Sequence, residues 1–153
     1  MKLAILGNSG SGKTTLARRL IGSGDGVLSL DAVAWNPGPE RKSIAESRAM
    51  IEAFAEERAQ WAIEGCYADL LAIVLPECDE LIWLNPPVET CLARCRARQH
   101  EPDKFATKAE QDAALAYLLE WVAEYETRDD EFGLKAHRRL YDGFDGPKRI
   151  VVE

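Results

Sequence analysis

The chain has 153 residues, of which 46% are hydrophobic and 29% are charged, and its formal net charge at pH 7 is −7. These values are typical of one globular domain over residues 1–153, and the negative charge argues against a dedicated binder of nucleic acid or of anionic membranes. The N-terminus opens on a strand pattern rather than a signal peptide, and no apolar stretch approaches the roughly 20 residues that span a bilayer, so we expect a cytoplasmic protein.

The first element is a short apolar strand pattern, Lys2–Leu6, which leads into the segment GNSGSGKT from Gly7 to Thr14. This segment matches the phosphate-binding pattern G-x-x-x-x-G-K-[ST] without deviation. The glycines let the backbone approach phosphates, Lys13 can reach the β- and γ-phosphates, and the Thr14 hydroxyl can ligate Mg²⁺. A helix predicted over 13–20 directs its positive end at the same charge. We therefore predict binding of a nucleoside triphosphate by Gly7, Asn8, Ser9, Gly10, Ser11, Gly12, Lys13, Thr14 and Thr15.

The rest of the chain alternates strand and helix patterns. The sequence predicts strands at 27–30, 61–63, 80–84 and 149–152, a proline-rich loop at 35–39, and helices over 43–59, 67–75, 86–98, 107–125 and 130–141. Asn85 is expected to cap the helix that follows the fourth strand, with Pro86 in its first position. Thr107 and Glu110 form a capping-box pattern, and Gly133 is a weak point within the last helix.

Alternation of this kind predicts an α/β fold: a parallel sheet of five strands with helices on both faces. Ligands of such sheets bind outside the carboxyl ends of the strands. Gly7, Asp31, Glu64 and Asn85 all fall at such ends. We therefore expect them to converge on one crevice.

Two of these residues are carboxylates with candidate roles. Glu64 is the predicted acidic partner of Thr14 in holding Mg²⁺. Asp79 is a weaker candidate for that role, because it precedes its strand. Asp31 is predicted to orient an acceptor or to take the proton of an attacking hydroxyl. For both Asp31 and Glu64, a helix cap or a solvated loop is the alternative.

Arginines supply a second requirement of phosphoryl transfer, because cations stabilise the charge on the transferring oxygens. Arg94 and Arg98 lie four residues apart on one predicted helix face, and Arg128 follows the long helix. We predict all three as catalytic together with Lys13, within a short lid-like segment around 94–128 that includes the irregular stretch 99–106. Solvated surface charge is the alternative, and it is favoured for Arg96.

Several further side chains leave two interpretations open. Trp35 and Tyr67 either line an acceptor pocket or belong to the core. His137 is expected at the surface. Cys91 and Cys95, with His100 nearby, lack the paired spacing of a structural zinc site, so buried thiols are favoured for the cysteines.

These motifs together resemble the adenylate kinase and shikimate kinase superfamily of small P-loop phosphotransferases. Within it, the chain is most similar to the family of DNA topology modulation proteins. The similar segments are GNSGSGKT followed by TLARRL, SLDAVAWNPG at 29–38, WAIEGCY at 61–67 and LIWLNPP at 81–87. The resemblance implies a three-layer P-loop NTPase fold with strand order 2-3-1-4-5, ATP with Mg²⁺ as ligands, and an acceptor site near Asp31.

The sequence therefore predicts an ATP-dependent phosphotransferase with an unidentified small-molecule acceptor. The alternative is an ATP-binding regulatory protein with little or no turnover. Direct binding of nucleic acid is not expected, and the sequence leaves the oligomeric state open between monomer and dimer.

Overall fold

The fold is described from a computed structural model, which covers residues 1–22, 24–98 and 105–153. Its centre is a five-stranded, all-parallel sheet in the order β2-β3-β1-β4-β5, as the resemblance implied. The strands are β1 (Lys2–Gly7), β2 (Val27–Ser29), β3 (Trp61–Gly65), β4 (Glu80–Leu84) and β5 (Lys148–Val151). In the register, Ile5 of β1 is opposite Glu64 of β3 and Ile82 of β4.

Seven α-helices connect or follow these strands. They are α1 (Lys13–Ile21), α2 (Asp31–Ala34), α3 (Ile44–Glu56), α4 (Ala68–Leu71), α5 (Val88–Ala97), α6 (Lys108–Ala123) and α7 (Leu134–Gly143). Two 3₁₀ turns lie at Gly24–Gly26 and Leu75–Glu77. Of the predicted irregular segment 99–106, residues 99–104 lie outside the described part of the chain, and His100 with them.

Alternate residues of the central strand face opposite layers. Ala4 and Leu6 of β1 belong to a core cluster that includes residues of α2, α3 and α4, whereas Leu3 and Ile5 pack with Ala17 of α1. Because both faces of the sheet are covered, the central strands β1, β3 and β4 are largely apolar rather than alternating, whereas the edge strand β5 carries Lys148 and Arg149 and is mostly exposed. The result is the expected three-layer α/β fold.

A third cluster joins α5 to α6. Its buried members are Cys91 and Cys95 of α5 and Val122 of α6. All four cysteines of the chain are free thiols, and within the ranges 1–22, 24–98 and 105–153 no group of three or more His, Cys, Asp or Glu side chains is placed to hold a metal ion. Both thiols of this pair are buried, as expected.

The predicted starts of two helices need correction. The helix after β4 begins at Val88 with Pro87 as its cap, so Asn85 does not cap it and Pro86 is not its first residue. The backbone N–H of Asn85 donates instead to Val151 of β5, at 2.7 Å. The last helix begins after Gly133, which is its N-cap residue.

The capping box at α6 is confirmed in part. The Thr107 hydroxyl accepts from the Glu110 backbone N–H at 3.1 Å, but the Glu110 carboxylate accepts from Ala106, at 3.2 Å, rather than from Thr107. Within the part of the chain described above, none of the helices combines the length and the apolar character that crossing a bilayer would require.

Candidate functional site

The predicted phosphate-binding segment forms a loop between β1 and α1. Gly10 and Gly12 adopt φ values of +81° and +96°, the left-handed region that favours glycine. A Cβ atom at Gly10 would lie 2.4 Å from the backbone oxygen of Cys91. The buried Ser11 hydroxyl has no hydrogen-bond partner among the described residues. The loop thus combines the close backbone approach of a phosphate cradle with a buried polar atom that lacks a ligand.

Lys13 folds back onto this loop. Its side chain is only 9% exposed, and its Nζ donates to the backbone oxygen of Asn8 at 2.7 Å. A neutral carbonyl satisfies one donor of the ammonium group without neutralising its charge. The cation therefore remains available to a phosphate that replaces the carbonyl.

Thr14 and Glu64 meet at the start of α1. The Thr14 hydroxyl donates to Glu64 Oε1 at 3.0 Å, and Glu64, in β3, is 2% exposed. A buried carboxylate with only a hydroxyl partner is costly unless a cation accompanies it. Hydroxyl and carboxylate oxygens are also the ligands that Mg²⁺ prefers. The chemistry of this donor pair is compatible with Mg²⁺, and the metal role of Thr14 and Glu64 stays a prediction.

Asp79, the weaker candidate for this role, lies at the opposite end of the sheet. Its carboxylate accepts from the Lys2 backbone N–H at 2.8 Å, where β1 begins. It is therefore remote from the strand ends that carry Gly7 and Glu64.

Two of the three predicted arginines contact the loop. Arg94 Nη1 donates to the backbone oxygen of Ser11 at 2.9 Å, and Arg98 Nη2 donates to Ser9 Oγ at 3.3 Å. Both residues lie at the C-terminal end of α5, four positions apart, so they reach the loop from the same side. Their catalytic roles stay predictions, but the structure places both guanidinium groups against the loop.

Arg128 is held elsewhere. Its guanidinium donates to both carboxylate oxygens of Asp130 and, at 3.1 Å, to the backbone oxygen of Trp121, and it lies over the Trp121 ring. Hydrogen bonds from Arg128 lower the pKa of Asp130. Among the described residues, all side-chain hydrogen bonds of Arg128 go to these two partners, so this conformation does not bring the guanidinium to the loop.

The loop has an anchor that the sequence did not indicate. The side-chain amide of Asn8 donates to the backbone oxygen of Val122 at 3.2 Å, across 114 positions of sequence. Its carbonyl oxygen accepts from the Ser9 backbone N–H at 2.8 Å. Asn8 therefore ties the phosphate-binding loop to the C-terminal end of α6. Thr15, also predicted as a ligand, is exposed in the first turn of α1.

Asp31 lies at the N-terminus of α2, one turn beyond the end of β2, and is exposed. Its Oδ1 accepts a hydrogen bond from the hydroxyl of Tyr67, and the Tyr67 hydroxyl accepts from Trp35 Nε1 at 2.8 Å. Tyr67 is 2% exposed and belongs to the core, whereas Trp35 is 38% exposed. Tyr67 is therefore a core residue whose hydroxyl reaches Asp31, and a role of either aromatic side chain in an acceptor pocket stays a prediction.

The prediction of a surface position for His137 is wrong, because its side chain is fully buried. Its Nδ1 lies 2.7 Å from the Tyr125 hydroxyl and its Nε2 lies 2.8 Å from the backbone oxygen of Cys66. Since a carbonyl can only accept, Nε2 carries the proton and Nδ1 accepts from Tyr125. Burial lowers the pKa of His137 to about 4. This neutral imidazole links α7 to the turn that follows β3.

No model of a protein family matches the sequence, and no curated protein matches it. Solved structures do match. The chain is similar to an unliganded sugar kinase from Janibacter sp. HTCC2649, with a TM-score of 0.52 and 18% identity over 99% of this chain and 84% of that chain.

Two further solved structures are similar to the chain. One is shikimate kinase from Acinetobacter baumannii in complex with shikimate, with a TM-score of 0.47 and 19% identity over 91% and 90% of the two chains. The other is deoxyadenosine kinase from M. mycoides with bound dATP, with a TM-score of 0.47 and 15% identity over 99% and 91%. At such identities the likeness concerns the fold, and with the strand order it shows that this chain has a P-loop kinase-like α/β fold.

Proposed function

We propose that the protein is an ATP-dependent phosphotransferase that moves the γ-phosphoryl group of ATP to a small-molecule acceptor. The observation that carries the proposal is the 3.0 Å contact between the Thr14 hydroxyl and the buried Glu64 carboxylate, beside a loop with the backbone geometry of a phosphate cradle. A glycine-rich turn without a ligand has no need of a buried carboxylate at this position. The P-loop kinase-like fold supports the same conclusion.

Mg²⁺ would be held here by Thr14 directly and by Glu64 directly or through water. When bound, it would screen the charge on the β- and γ-phosphates. Since the described residues contain no larger cluster of acidic ligands, the remaining coordination positions belong to phosphate oxygens and water, as is usual for Mg²⁺.

In the proposed transfer, the other residues of the site act on the acceptor and on the phosphates. An acceptor oxygen attacks the γ-phosphorus, the bond between that phosphorus and the β,γ-bridging oxygen breaks, and ADP leaves with the electron pair. The acceptor's proton passes to Asp31 or to solvent. Lys13, Arg94 and Arg98 stabilise the charge on the transferring oxygens once their present loop partners are exchanged for phosphate.

Arg128 has a supporting role in this proposal. To reach a phosphate it would have to leave Asp130 and Trp121, so its present bonds hold the turn after α6 in place. We also propose a lid-like role for the described parts of the segment around 94–128, which exclude residues 99–104, since Arg94, Arg98 and Val122 contact the loop.

The finer identity is likewise a proposal. The segments shared with the DNA topology modulation family suggest a relative of that family within the P-loop kinases, acting on a small molecule in the cytoplasm. The net charge of −7 supports an acceptor other than nucleic acid.

The test measures ADP formation from MgATP, alone and with acceptors of three classes: deoxyadenosine and dAMP, D-gluconate, and glycerol. The proposal expects one acceptor to raise the rate at least tenfold over water, and expects Asp31→Asn to remove most of that increase. Glu56→Gln, a carboxylate change on the exposed side of α3, is the matched control and should leave the rate unchanged. Tight binding of ATP without stimulation by any acceptor would support the ATP-binding regulator instead.

A further inference from the structure

Two side chains at the ends of α2, Asp31 and Trp35, and one at the start of α4, Tyr67, form a directed chain of hydrogen bonds that ends on Asp31. The Trp35 indole N–H donates to the Tyr67 hydroxyl oxygen at 2.8 Å, and the Tyr67 hydroxyl donates to Asp31 Oδ1. An indole N–H can only donate, so the phenolic oxygen receives its hydrogen from Trp35. The phenolic proton is thereby left for the carboxylate, and the direction of the chain is fixed.

Tyr67 is held rigidly in this arrangement. Its side chain is 2% exposed, its ring meets the Phe132 ring edge-on at 5.1 Å between centroids, and the Arg41 guanidinium lies 5.1 Å from its ring centroid. Burial, followed by the nearby charge of Asp31, raises the pKa of Tyr67. The phenol therefore stays protonated, and stays a donor, at neutral pH.

The loop 34–42 holds Trp35, which is the first donor of this hydrogen-bond chain, in place. Trp35 and Arg41 form an antiparallel bridge, and the Lys42 backbone N–H donates to Ala34 at 2.8 Å. Gly38, with a φ of +100°, lies in the tip between them. The loop thus contacts Tyr67 twice, through the Trp35 indole and through the Arg41 guanidinium.

Arg41 is not available to an acceptor. Its guanidinium lies 3.3 Å from Asp69 and 3.8 Å from Glu131. With two carboxylates beside it, its charge is compensated within the protein, and its role is to hold the loop against the Tyr67 ring.

Within the described residues, only one of the two carboxylate oxygens of Asp31 forms a hydrogen bond. Tyr67 occupies Oδ1, Oδ2 has no hydrogen-bond partner among the described residues, and the residue is exposed. An exposed aspartate ordinarily rotates among several side-chain conformers. A fixed donor on one oxygen restricts that rotation and leaves the other oxygen free in a defined direction.

We propose that Tyr67, backed by Trp35, is a positioning residue that fixes the Asp31 carboxylate so that Oδ2 accepts the hydrogen bond of the acceptor's hydroxyl group. This inference rests on the proposed phosphotransfer. It assigns to Tyr67 no contact with the nucleotide, so its loss affects the acceptor side of the reaction and not the phosphate-binding loop.

The test uses the full chain with Tyr67→Phe, Trp35→Phe and the double variant. Tyr67→Phe keeps the ring that packs on Phe132 and Arg41 and removes only the hydroxyl. Tyr117→Phe, which changes a tyrosine that is 80% exposed on α6, is the matched control. The carboxyl ¹³C signal of Asp31 is assigned with Asp31→Asn, and it is read without nucleotide, so the geometry is decided independently of whether the proposed phosphotransfer is correct.

Tyr67→Phe is expected to shift the Asp31 carboxyl signal and the Trp35 indole N–H signal, and Trp35→Phe to shift the Asp31 signal less. The affinity for AMP-PNP should stay within twofold of the wild type. The rate of ADP formation with the most active acceptor, or with water if none is better, should fall about tenfold. Because Trp35 acts through Tyr67, the double variant should be no slower than Tyr67→Phe alone.

An unchanged Asp31 carboxyl signal in Tyr67→Phe would overturn the proposal. So would equal losses of AMP-PNP affinity and of turnover, which would indicate a purely structural tyrosine. Additive losses in the double variant would also contradict it, because they would show that Trp35 acts independently of Tyr67.

Discussion

Replacing Glu64 by Gln tests the metal assignment with little disturbance of the fold. Gln has nearly the same shape, and its Oε1 can still accept the 3.0 Å hydrogen bond of Thr14. The substitution removes the charge of a side chain that is only 2% exposed. In the absence of metal we therefore expect no loss of thermal stability, because an uncompensated buried charge is itself costly.

The magnitude follows from the electrostatics of the site. Two unit charges at about 4 Å interact with about 4 kcal/mol at an effective dielectric constant of about 20. Bound water and the phosphates compete for the same cation, so we take about half of this value. A loss of about 2 kcal/mol corresponds to roughly a 30-fold change in binding.

The assay is calorimetric titration with AMP-PNP, with and without Mg²⁺. Its readout is the ratio of the two affinities, which needs no acceptor. We expect Glu64→Gln to reduce this ratio about 30-fold, Glu64→Asp to reduce it less, and the exposed change Glu56→Gln to leave it unchanged. A Glu64→Gln protein with the wild-type ratio would refute the reasoning, since the buried carboxylate would then have no part in holding the metal.

Three further predictions concern the loop and the core. Lys13→Ala should weaken AMP-PNP binding at least tenfold in calorimetry while unfolding measurements show a loss of about 1 kcal/mol, the value of one hydrogen bond; unchanged affinity would contradict the phosphate-loop assignment. Gly10→Ala should destabilise the protein by about 2–4 kcal/mol in denaturant titration, because Gly10 has a φ of +81° and a Cβ atom there would lie 2.4 Å from a backbone oxygen. The control is Gly143→Ala, at a helical site where a Cβ atom would meet nothing within 4 Å. This control should be neutral or stabilising. The pKa of His137 is lowered from 6.5 to about 4, so below pH 6.5 the unfolded chain takes up a proton that the folded protein does not. The free energy of unfolding should therefore fall as the pH decreases from about 6.5 toward 4, by about 2 kcal/mol at pH 5. An equally steep decrease in His137→Gln would argue against this origin.

The sequence was sufficient to predict the architecture and to predict which residues meet at the phosphate-binding loop, for identifiable reasons. Buried parallel strands are continuous apolar runs, and the glycine-lysine loop is a local motif. Both could therefore be recognised without knowledge of the tertiary structure. The pairing of Thr14 with Glu64 followed from the rule that strand ends of a parallel sheet converge. The reach of Arg94 and Arg98 followed from their helical spacing.

The features that the sequence did not reveal depend on contacts between distant positions. Tyr67 reaches Asp31 across 36 positions and Asn8 reaches Val122 across 114. Neither distance is visible in a local pattern. His137 stands between Ala136 and Arg138 in a helix rich in charged residues, and its hydrogen-bond partners Tyr125 and Cys66 lie in other elements. Hydrophobic periodicity cannot detect a buried residue that is itself polar.

The resting contact of Lys13 has a consequence for the rate at which nucleotide arrives. Its ammonium group bonds to a neutral carbonyl at 2.7 Å, and it forms no ion pair within the described ranges. Together with Arg94 and Arg98 it gives the loop three cations, so a polyanion close to the loop feels attraction even though the protein as a whole carries a charge of −7. Local attraction and overall repulsion differ in range. Salt at about 0.1 M screens charges that lie more than about 10 Å apart, so it weakens the repulsion from distant carboxylates before it weakens the attraction at the loop. Association of ATP with this loop is therefore expected to be fastest at moderate rather than very low ionic strength, which is the opposite of steering by a uniformly basic surface.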